Sequence, residues 1–285
     1  MDRRTTFWLL CLPPLLWLSL FFVVPLLLMA AFSLRPDVRG ELWQWWTPTL
    51  NQYARALATG SFSRLLGIST LMALGVAVSA TVLAYPVAYF LVWRAGIRAG
   101  LFLLLLLMPF WTSYLLRVMA WKFMLGSEGV INSFLLYLGV VDNPLTILLY
   151  NRGAVVVTLI YVWIPFAALP ILVALQRIDS SLQEAAADLG ASPFWRFWRV
   201  TFPLSLPGVL AAFFMVFIPT VGEYVTPLLV GGSRGAMYGN IIQDFFTKAA
   251  NWPLGAALGM IMLVSTIVLV AVAVRVVDLR SLVEQ

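Results

Sequence analysis

A carboxylate beside an aromatic ring, in the pair Glu223 and Tyr224, is the first arrangement in the sequence that could act on a solute. Such a pair suits an ammonium group, which it attracts through charge and through the cation–π interaction. Trp111 and Trp121 would add aromatic surface to the same site. The alternative is structural: the Glu223 carboxylate would be hydrogen-bonded to neighbouring backbone, and the tryptophans would belong to an aromatic belt at the lipid headgroups. Both interpretations stay open at this point.

Residues 177–205 contain a second functional pattern. Its residues would form an exposed surface and would not take part in breaking or forming a covalent bond. Ser181 and Glu184 have the S-x-x-E spacing of a capping box, which starts a helix. Three alanines, which favour helix, follow directly. Gly190 suits the left-handed residue at which many helices end. The pattern therefore predicts a short capped helix that ends in a turn at Gly190.

A second short helix is predicted directly after that turn. Ser192 would be its N-cap and Pro193 its first residue. Aromatic residues and arginines alternate along it: Phe194, Trp195, Arg196, Phe197, Trp198 and Arg199. Pro203 and the pair Pro207–Gly208 predict another break before the next apolar segment. Two capped helices joined by a turn form a rigid, water-facing surface, and such a surface implies a partner protein.

Several chemistries are excluded by the residues that the chain lacks. There is no histidine, which removes histidine general bases, Ser–His–Asp triads and histidine metal sites. The single cysteine, Cys11, precludes a disulfide within the chain. Neither lysine, Lys122 nor Lys248, stands in a GxxxxGK[ST] phosphate-binding loop. We therefore expect a protein that is not an enzyme, holds no metal and carries no cofactor of its own.

The composition sets the class of protein that must position these residues. Of the 285 residues, 62% are hydrophobic and 11% are charged, against about 45–50% and about 25% in soluble domains. Because so few charges cannot cover a water-soluble globule, we expect an all-α polytopic membrane protein surrounded by membrane lipid. The net charge of +6 fits arginines that anchor helix ends in a bilayer. The chain has no basic run of the kind that would indicate nucleic-acid binding.

Six mostly apolar segments are candidates for membrane spans, which need about 20 residues each. They are residues 7–32, 65–92, 99–114, 153–176, 206–226 and 254–277. The first is longer than the apolar core of a signal peptide, so we expect it to be retained. Four prolines within the spans predict either bends in a packed bundle or broken helices around a cavity: Pro86, Pro165, Pro170 and Pro219.

The orientation of the spans follows from basic residues in short loops, which stay on the cytoplasmic side. Arg3 and Arg4 precede the first span, and Arg94 and Arg98 lie in the tight turn after the second. Both favour a cytoplasmic N-terminus, and six spans then place the C-terminus on the same side. Three tryptophans after the first span would form an aromatic belt at the outer face: Trp43, Trp45 and Trp46.

The segment from Glu184 to Ser192 resembles the EAA loop, which marks the membrane subunits of binding-protein-dependent ABC importers. The segment has the order Glu-Ala-Ala and a glycine six residues after the glutamate. The pairs Phe202–Pro203 and Pro207–Gly208 follow it at the positions that the EAA loop requires. The resemblance implies the fold of a type I importer permease. Further segments are similar to the first permease subunit of spermidine/putrescine importers: 109–113, 222–227, 231–232 and 251–255.

The resemblance also implies partners in the bacterial inner membrane. A homologous second permease would supply the other half of a central pathway, and a periplasmic binding protein would deliver the solute. Two copies of an ABC ATPase would bind ATP and Mg²⁺ and drive the conformational change. The residues in contact with the ATPase would be those of the EAA loop: Glu184, Ala185, Ala186, Gly190, Ala191 and Ser192.

The solute implied by the resemblance is a polyamine, although importers of opines, modified amino acids and phosphonates use the same type of subunit. An ion-coupled secondary transporter is the rival from another class, and it would need ionisable residues near the membrane midplane. The predicted spans contain almost none. An intramembrane enzyme is disfavoured because the chain lacks histidine and the spans lack a paired-carboxylate motif.

The last span contains the spacing Gly255-x-x-x-Gly259, which permits the close approach of a second helix. We expect these glycines to pack within the subunit. A contact with the second permease is the alternative.

Overall fold

The computed structural model describes residues 3–36 and 47–277, and within those ranges all regular secondary structure is helical. This confirms the predicted all-α class. Five of the described helices are long and apolar enough to cross a membrane, and a bent pair supplies a sixth candidate. Trp43, Trp45 and Trp46, predicted to form an aromatic belt, lie outside the described residues.

The first span candidate lies in a continuous helical stretch. Helix α1 (Arg3–Leu18) passes through a π-helical turn into α2 (Val24–Ser33). The most apolar window of this stretch has no residue buried against the rest of the protein. A helix that is apolar on all its exposed sides requires an apolar surrounding, which a bilayer provides.

The second span candidate is a single long helix. A short helix, α3 (Asn51–Ala58), precedes α4 (Gly60–Trp93), which continues through Pro86 without a break. Five alanines of α4, spaced three or four residues apart, are completely buried: Ala73, Ala77, Ala80, Ala84 and Ala88. Small side chains at this spacing form one face of a helix and allow a neighbouring helix to approach closely.

The third predicted span, residues 99–114, is bent rather than straight. Helix α5 (Ala99–Leu107) ends in a 3₁₀ turn at Met108–Trp111, and α6 (Tyr114–Leu125) and α7 (Val130–Tyr137) follow. The two halves of this stretch meet at 90°. The Thr112 hydroxyl donates to the carbonyl of Pro109 across 2.7 Å and so satisfies a carbonyl at the break.

The middle of the chain contains two long helices on either side of the predicted loop. Helix α8 (Arg152–Gln176) is capped by the Asn151 side chain, which accepts a hydrogen bond from the backbone of Ala154. After it come α9 (Ser180–Asp188), α10 (Pro193–Arg196), a π-helical turn at Phe197–Thr201 and α11 (Phe202–Val221). Helices α8 and α11 pack along each other.

The end of the described chain contains the non-helical residues 222–224, three further helical stretches and, in the last of these, the final span candidate. After α11, a short π-helical stretch at Pro227–Gly231 precedes α12 (Tyr238–Thr247) and α13 (Trp252–Val277). The four span prolines lie inside continuous helices. The chain leaves the helical conformation instead at residues 112–113, directly before α6, and at residues 222–224, directly after α11. The prolines therefore fit bends in a packed bundle rather than broken helices.

The residues divide into two compact units. Among the described residues, one unit contains residues 3–36, 47–64 and 241–265, and the other contains residues 65–240 and 266–277. The loop between α8 and α11 and the pair Glu223–Tyr224 belong to the second unit, whereas Gly255 and Gly259 belong to the first.

Candidate functional site

Helix α9 of the predicted EAA loop begins with a different cap from the one that the sequence suggested. Asp179 is the N-cap, and its carboxylate accepts a hydrogen bond from the Ser181 N–H across 2.9 Å. This bond favours the charged form and lowers the pKa of the Asp179 carboxyl below its usual value. The predicted Ser181–Glu184 capping box is therefore wrong, because the aspartate two residues earlier already satisfies a free N–H of the first turn.

The turn at Gly190 has the geometry that the sequence predicts. Gly190 is left-handed, with φ of 80°. Its N–H donates to the carbonyl of Ala187 across 2.9 Å, and the N–H of Ala191 donates to the carbonyl of Ala186 across 3.0 Å. These two bonds define a Schellman motif, which fixes how the chain leaves the helix. The turn is therefore held by backbone hydrogen bonds and by the left-handed glycine.

The side chains around this turn project outwards. Glu184, Ala185, Gly190 and Ser192 are exposed, and Ala186 and Ala191 are half-buried. Leu189, directly before the turn, is 90% exposed, and Phe194, directly after it, is 64% exposed. Neither residue was among those predicted to form the contact, although Phe194 was noted as an aromatic residue of the second helix and an apolar residue next to the glycine was a usable signal. Exposed apolar side chains on a rigid turn are typical of a contact surface.

The second short helix does not end where its prolines suggested. Ser192 stands at the N-cap position, with Pro193 first in the helix, but the Ser192 side chain makes no capping bond. From Pro193 the helix continues for 29 residues to Val221. The predicted break at Pro203 and at Pro207–Gly208 is therefore wrong.

Two features explain this continuity. Pro203 is the second residue of α11, and the helix directly before it widens into the π-helical turn. A π turn changes the local i→i−4 pattern, so a proline next to it removes little hydrogen bonding. In an apolar bundle, neighbouring helices can also satisfy the freed carbonyls. The predicted loop is consequently short, and its second half is the beginning of the fifth span candidate.

Glu223 acts as a structural cap at the start of the helical stretch that follows α11. Its Oε1 atom accepts hydrogen bonds from the backbone N–H groups of Val225 at 2.8 Å and Thr226 at 3.1 Å. The carboxylate is half-buried, and the neighbouring Tyr224 is 43% exposed. The Asn240 side chain holds the Tyr224 carbonyl across 2.8 Å. This geometry fits the structural alternative for Glu223 and leaves the Tyr224 ring accessible.

Helix α6, which follows the bend, is joined to the residues around Glu223 through Tyr114. Tyr114 was not among the predicted site residues. The Tyr114 hydroxyl lies 2.6 Å from the Thr226 hydroxyl. One turn further along α6, Arg117 is buried, with its guanidinium 4.8 Å from the centre of the Phe110 ring. A buried charge in an apolar segment is costly and is commonly compensated. Here the ring face provides that compensation through a cation–π contact.

The two tryptophans proposed for the solute path differ in their surroundings. Trp111 is 75% exposed at the end of its 3₁₀ turn, and Trp121 packs on Tyr161 with ring centres 5.4 Å apart. Among the described residues, neither tryptophan stacks on or hydrogen-bonds to the residues around Glu223. In the same ranges, no group of three or more Cys, Asp or Glu side chains could hold a metal ion.

Gly255 and Gly259 both face residues of their own chain. A Cβ atom at Gly255 would lie 3.2 Å from the Cβ of Phe245 and from a ring carbon of Phe246. A Cβ atom at Gly259 would lie 3.4 Å from the sulfur of Met29. Both glycines are buried. This arrangement fits packing within the subunit.

The five or six apolar helices define a candidate multi-pass membrane protein. The chain matches the family described as binding-protein-dependent transport system inner membrane component over residues 3–281, and it belongs to that family. It is 38% identical to the spermidine/putrescine transport system permease protein PotB of Salmonella typhimurium over 243 residues, which cover 85% of this chain and 83% of that protein. The corresponding protein of Escherichia coli K12 is 37% identical and is covered to 86%.

A solved structure shows the same fold at low sequence identity. It is that of a bacterial ABC transporter involved in the import of the acidic polysaccharide alginate, with a TM-score of 0.72 and 17% identity. The match covers 96% of this chain and 95% of that one. This structure shows the shared fold, and the family match and the permease relatives show that the protein is an ABC importer permease, as the EAA-type loop suggested.

Proposed function

We propose that this protein is the permease subunit of an ATP-driven polyamine importer and that the turn at Gly190 is its contact with a separate ATPase. The observation that carries the ATPase contact is the rigid turn itself, with Glu184 and Leu189 exposed on it. A homologous second permease would complete the solute pathway, and a periplasmic binding protein would deliver the solute. Two ATPase copies would bind the ATP and Mg²⁺.

The rigidity of the turn supports a role in docking. The Asp179 cap fixes the start of α9, and the Schellman bonds at Gly190 fix its end. A surface that is ordered before binding loses little conformational entropy on binding. The exposed Leu189 side chain would enter an apolar groove, while the Glu184 carboxylate would meet a polar or basic group at its edge.

The side of the membrane follows from this proposal. ATP is hydrolysed in the cytoplasm, so the turn at Gly190 would be cytoplasmic. The arginines at positions 94 and 98, in the turn after α4, would lie on the same side, in agreement with the positive-inside rule. Both chain termini would then also be cytoplasmic.

The polyamine is supported by the relatives named above and by the chemistry near Glu223. A half-buried carboxylate beside an exposed tyrosine ring offers both charge and a π face to an ammonium group. Because the backbone of Val225 and Thr226 uses Oε1, the carboxylate would contact solute through the other side of the group. Tyr224 would supply the ring.

The ATPase contact is tested by charge reversal on the exposed face of α9. Glu184→Lys should leave membrane insertion and pairing with the second permease intact, and it should reduce co-purification of the ATPase. Glu128→Lys is the matched control, because Glu128 is also exposed but lies in the turn between α6 and α7. A Glu184→Lys complex with a full complement of ATPase and normal solute-stimulated turnover would contradict the proposed contact.

The solute is tested with the complete complex in liposomes, supplied with binding protein and ATP. Uptake is measured for spermidine and putrescine and, as competitors from other classes, for an opine, a modified amino acid and a phosphonate. We expect ATP-dependent uptake of the polyamines. Uptake of one of the other solutes in their place would overturn the polyamine assignment. Transport by the permease without ATPase would indicate a secondary transporter instead.

A further inference from the structure

A buried hydrogen bond ties helix α4 to the beginning of α11. The hydroxyl groups of Tyr85 and Ser205 lie 2.8 Å apart, although 120 residues separate them in sequence. Because the Ser205 hydroxyl donates to the carbonyl of Phe202 across 3.0 Å, the Tyr85 hydroxyl is the donor in the pair. The Tyr85 ring also packs edge-on against Phe197, with ring centres 5.6 Å apart. Tyr85 therefore contacts the π-helical turn and the first turn of α11.

One helical turn later, α11 lies directly on α8. A Cβ atom at Gly208 would be 2.4 Å from the Cβ of Ala174 and 2.7 Å from the carbonyl oxygen of Pro170. Gly208 is buried, and no side chain larger than hydrogen fits there without moving a helix. The contact therefore fixes the distance between the two helices that flank the loop.

The two contacts act on the same length of helix. Helix α11 continues without a break from the helix that begins at Pro193, directly after the turn at Gly190. Ser205 makes the hydrogen bond of this helix to α4, and Gly208 is a close contact within its long packing against α8. A force applied at the turn reaches these points before it reaches the rest of α11.

We infer that Tyr85 and Gly208 are positioning residues for energy coupling: they hold α4, α8 and the first half of α11 together, so that movement of the turn at Gly190 moves the solute path. The inference rests on the proposed contact between that turn and an ATPase. Neither residue touches solute or nucleotide in this assignment. Their loss should separate ATP hydrolysis from transport without preventing the ATPase from docking.

The readout is the number of solute molecules imported per ATP hydrolysed, measured with the complete complex in liposomes containing binding protein. Tyr85→Phe removes one hydrogen bond and leaves Ser205 bonded to Phe202. We expect it to lower the ratio roughly 2- to 10-fold, the range that corresponds to one such bond. Gly208→Ala should lower it by at least about 5-fold, since an added methyl group in a tight contact forces the helices apart.

Each variant has a matched control on α4. Tyr89→Phe removes a hydroxyl group from the same aromatic cluster, and that hydroxyl makes no hydrogen bond within the described residues. Gly75→Ala adds a methyl group where no atom lies within 4 Å. Both controls should keep the wild-type ratio. Ala174→Gly, combined with Gly208→Ala, removes the nearest clashing atom and should restore part of the ratio.

The outcomes separate this inference from the proposed function. If the wild-type complex shows no ATP-dependent uptake, the proposed function fails. If wild-type uptake is normal and Tyr85→Phe keeps the wild-type ratio, the inference fails and the proposed function stands. If the Gly208→Ala complex does not assemble, the ratio of solute imported to ATP hydrolysed in Tyr85→Phe alone tests the inference. Loss of ATPase co-purification in Tyr85→Phe would also contradict the inference, because the contact would then serve docking rather than coupling.

Discussion

The Tyr114 and Thr226 hydroxyl groups, 2.6 Å apart, join two breaks in the helical structure. Tyr114 is the first residue of α6 and lies directly after the 90° bend. Thr226 follows the non-helical residues at the end of α11. The N–H of Thr226 also donates to Glu223. Helix α6, residues 223–226 and the Glu223 carboxylate therefore form one connected network.

Tyr114→Phe should weaken this network without removing the ring. The loss of one partly buried hydrogen bond should destabilise the protein by about 0.5–1.5 kcal/mol. Thermal unfolding of the purified permease in detergent measures the effect. Tyr137→Phe is the control, because Tyr137 is exposed and its hydroxyl makes no hydrogen bond within the described residues. Equal melting temperatures for Tyr114→Phe and wild type would show that the bond does not stabilise the fold.

Glu223→Gln should reduce uptake of a cationic solute while leaving the amount of assembled complex unchanged. Glutamine keeps an oxygen for the N–H groups of Val225 and Thr226 but removes the charge. A hydrogen bond to a charged group contributes about 1.5–3 kcal/mol, which is a factor of roughly 10 to 150 at about 1.4 kcal/mol per decade. Water in the solute path would weaken this contact, so we expect a reduction near the lower end of that range. The measurement is uptake rate per assembled complex.

Two further variants distinguish the role of the Glu223 carboxylate as a cap from its role in solute contact. Glu223→Ala also removes the acceptor and should destabilise the helical stretch that begins at Val225 by about 1 kcal/mol, as for other lost caps. Glu128→Gln neutralises an exposed carboxylate elsewhere and should transport normally. An unchanged rate per complex in Glu223→Gln would remove Glu223 from the solute path and leave it as a cap.

Gly190→Val should impair uptake because a β-branched residue is poorly tolerated at a φ of 80°. We expect about 1–3 kcal/mol of strain, relieved by distortion of the turn. Gly190→Asn should retain more function, since asparagine tolerates the left-handed region. Gly139→Val imposes the same kind of strain at a φ of 65° in the turn after α7 and should transport normally. Wild-type uptake by Gly190→Val would show that the exact turn is dispensable.

Gly255→Leu should destabilise the isolated permease by about 1–3 kcal/mol, because the added side chain meets Phe245 and Phe246. Gly259→Ala should be tolerated, since its nearest neighbour is the sulfur of the flexible Met29 side chain. Thermal unfolding of the permease without its partner measures both. A Gly255→Leu subunit that is stable alone but fails to pair with the second permease would point to the alternative, an interface between subunits.

Features that depend on near neighbours in sequence could be predicted. The left-handed Gly190 and the helix start at Pro193 follow from local backbone preferences, and the structure has both. The N-cap was misplaced by two residues because Asp179 and Ser181 are both competent caps. The break at Pro203 was wrong because the rule for prolines assumes an ordinary α-helix, whereas a π-helical turn precedes this proline.

Contacts between distant segments could not be predicted in the same way. The Tyr85–Ser205 and Tyr114–Thr226 pairs lie 120 and 112 residues apart. A single sequence carries no periodic signal for such pairs, because each partner fits its own helix equally well without the other. Gly208 was interpreted as part of a break, although its function in the fold is the close approach of α11 to α8.

The unbroken helix from Pro193 to Val221 has a mechanical consequence. Its 29 residues make it about 43 Å long, at about 1.5 Å per residue. A tilt of about 5° of such a lever arm displaces one end by about 4 Å relative to the other, which exceeds the length of a hydrogen bond, about 2.8 Å. Because the contacts at Ser205 and Gly208 lie near the middle of this helix, a rocking motion at the end next to Gly190 would reach the end next to Val221 as a displacement of similar size and opposite direction.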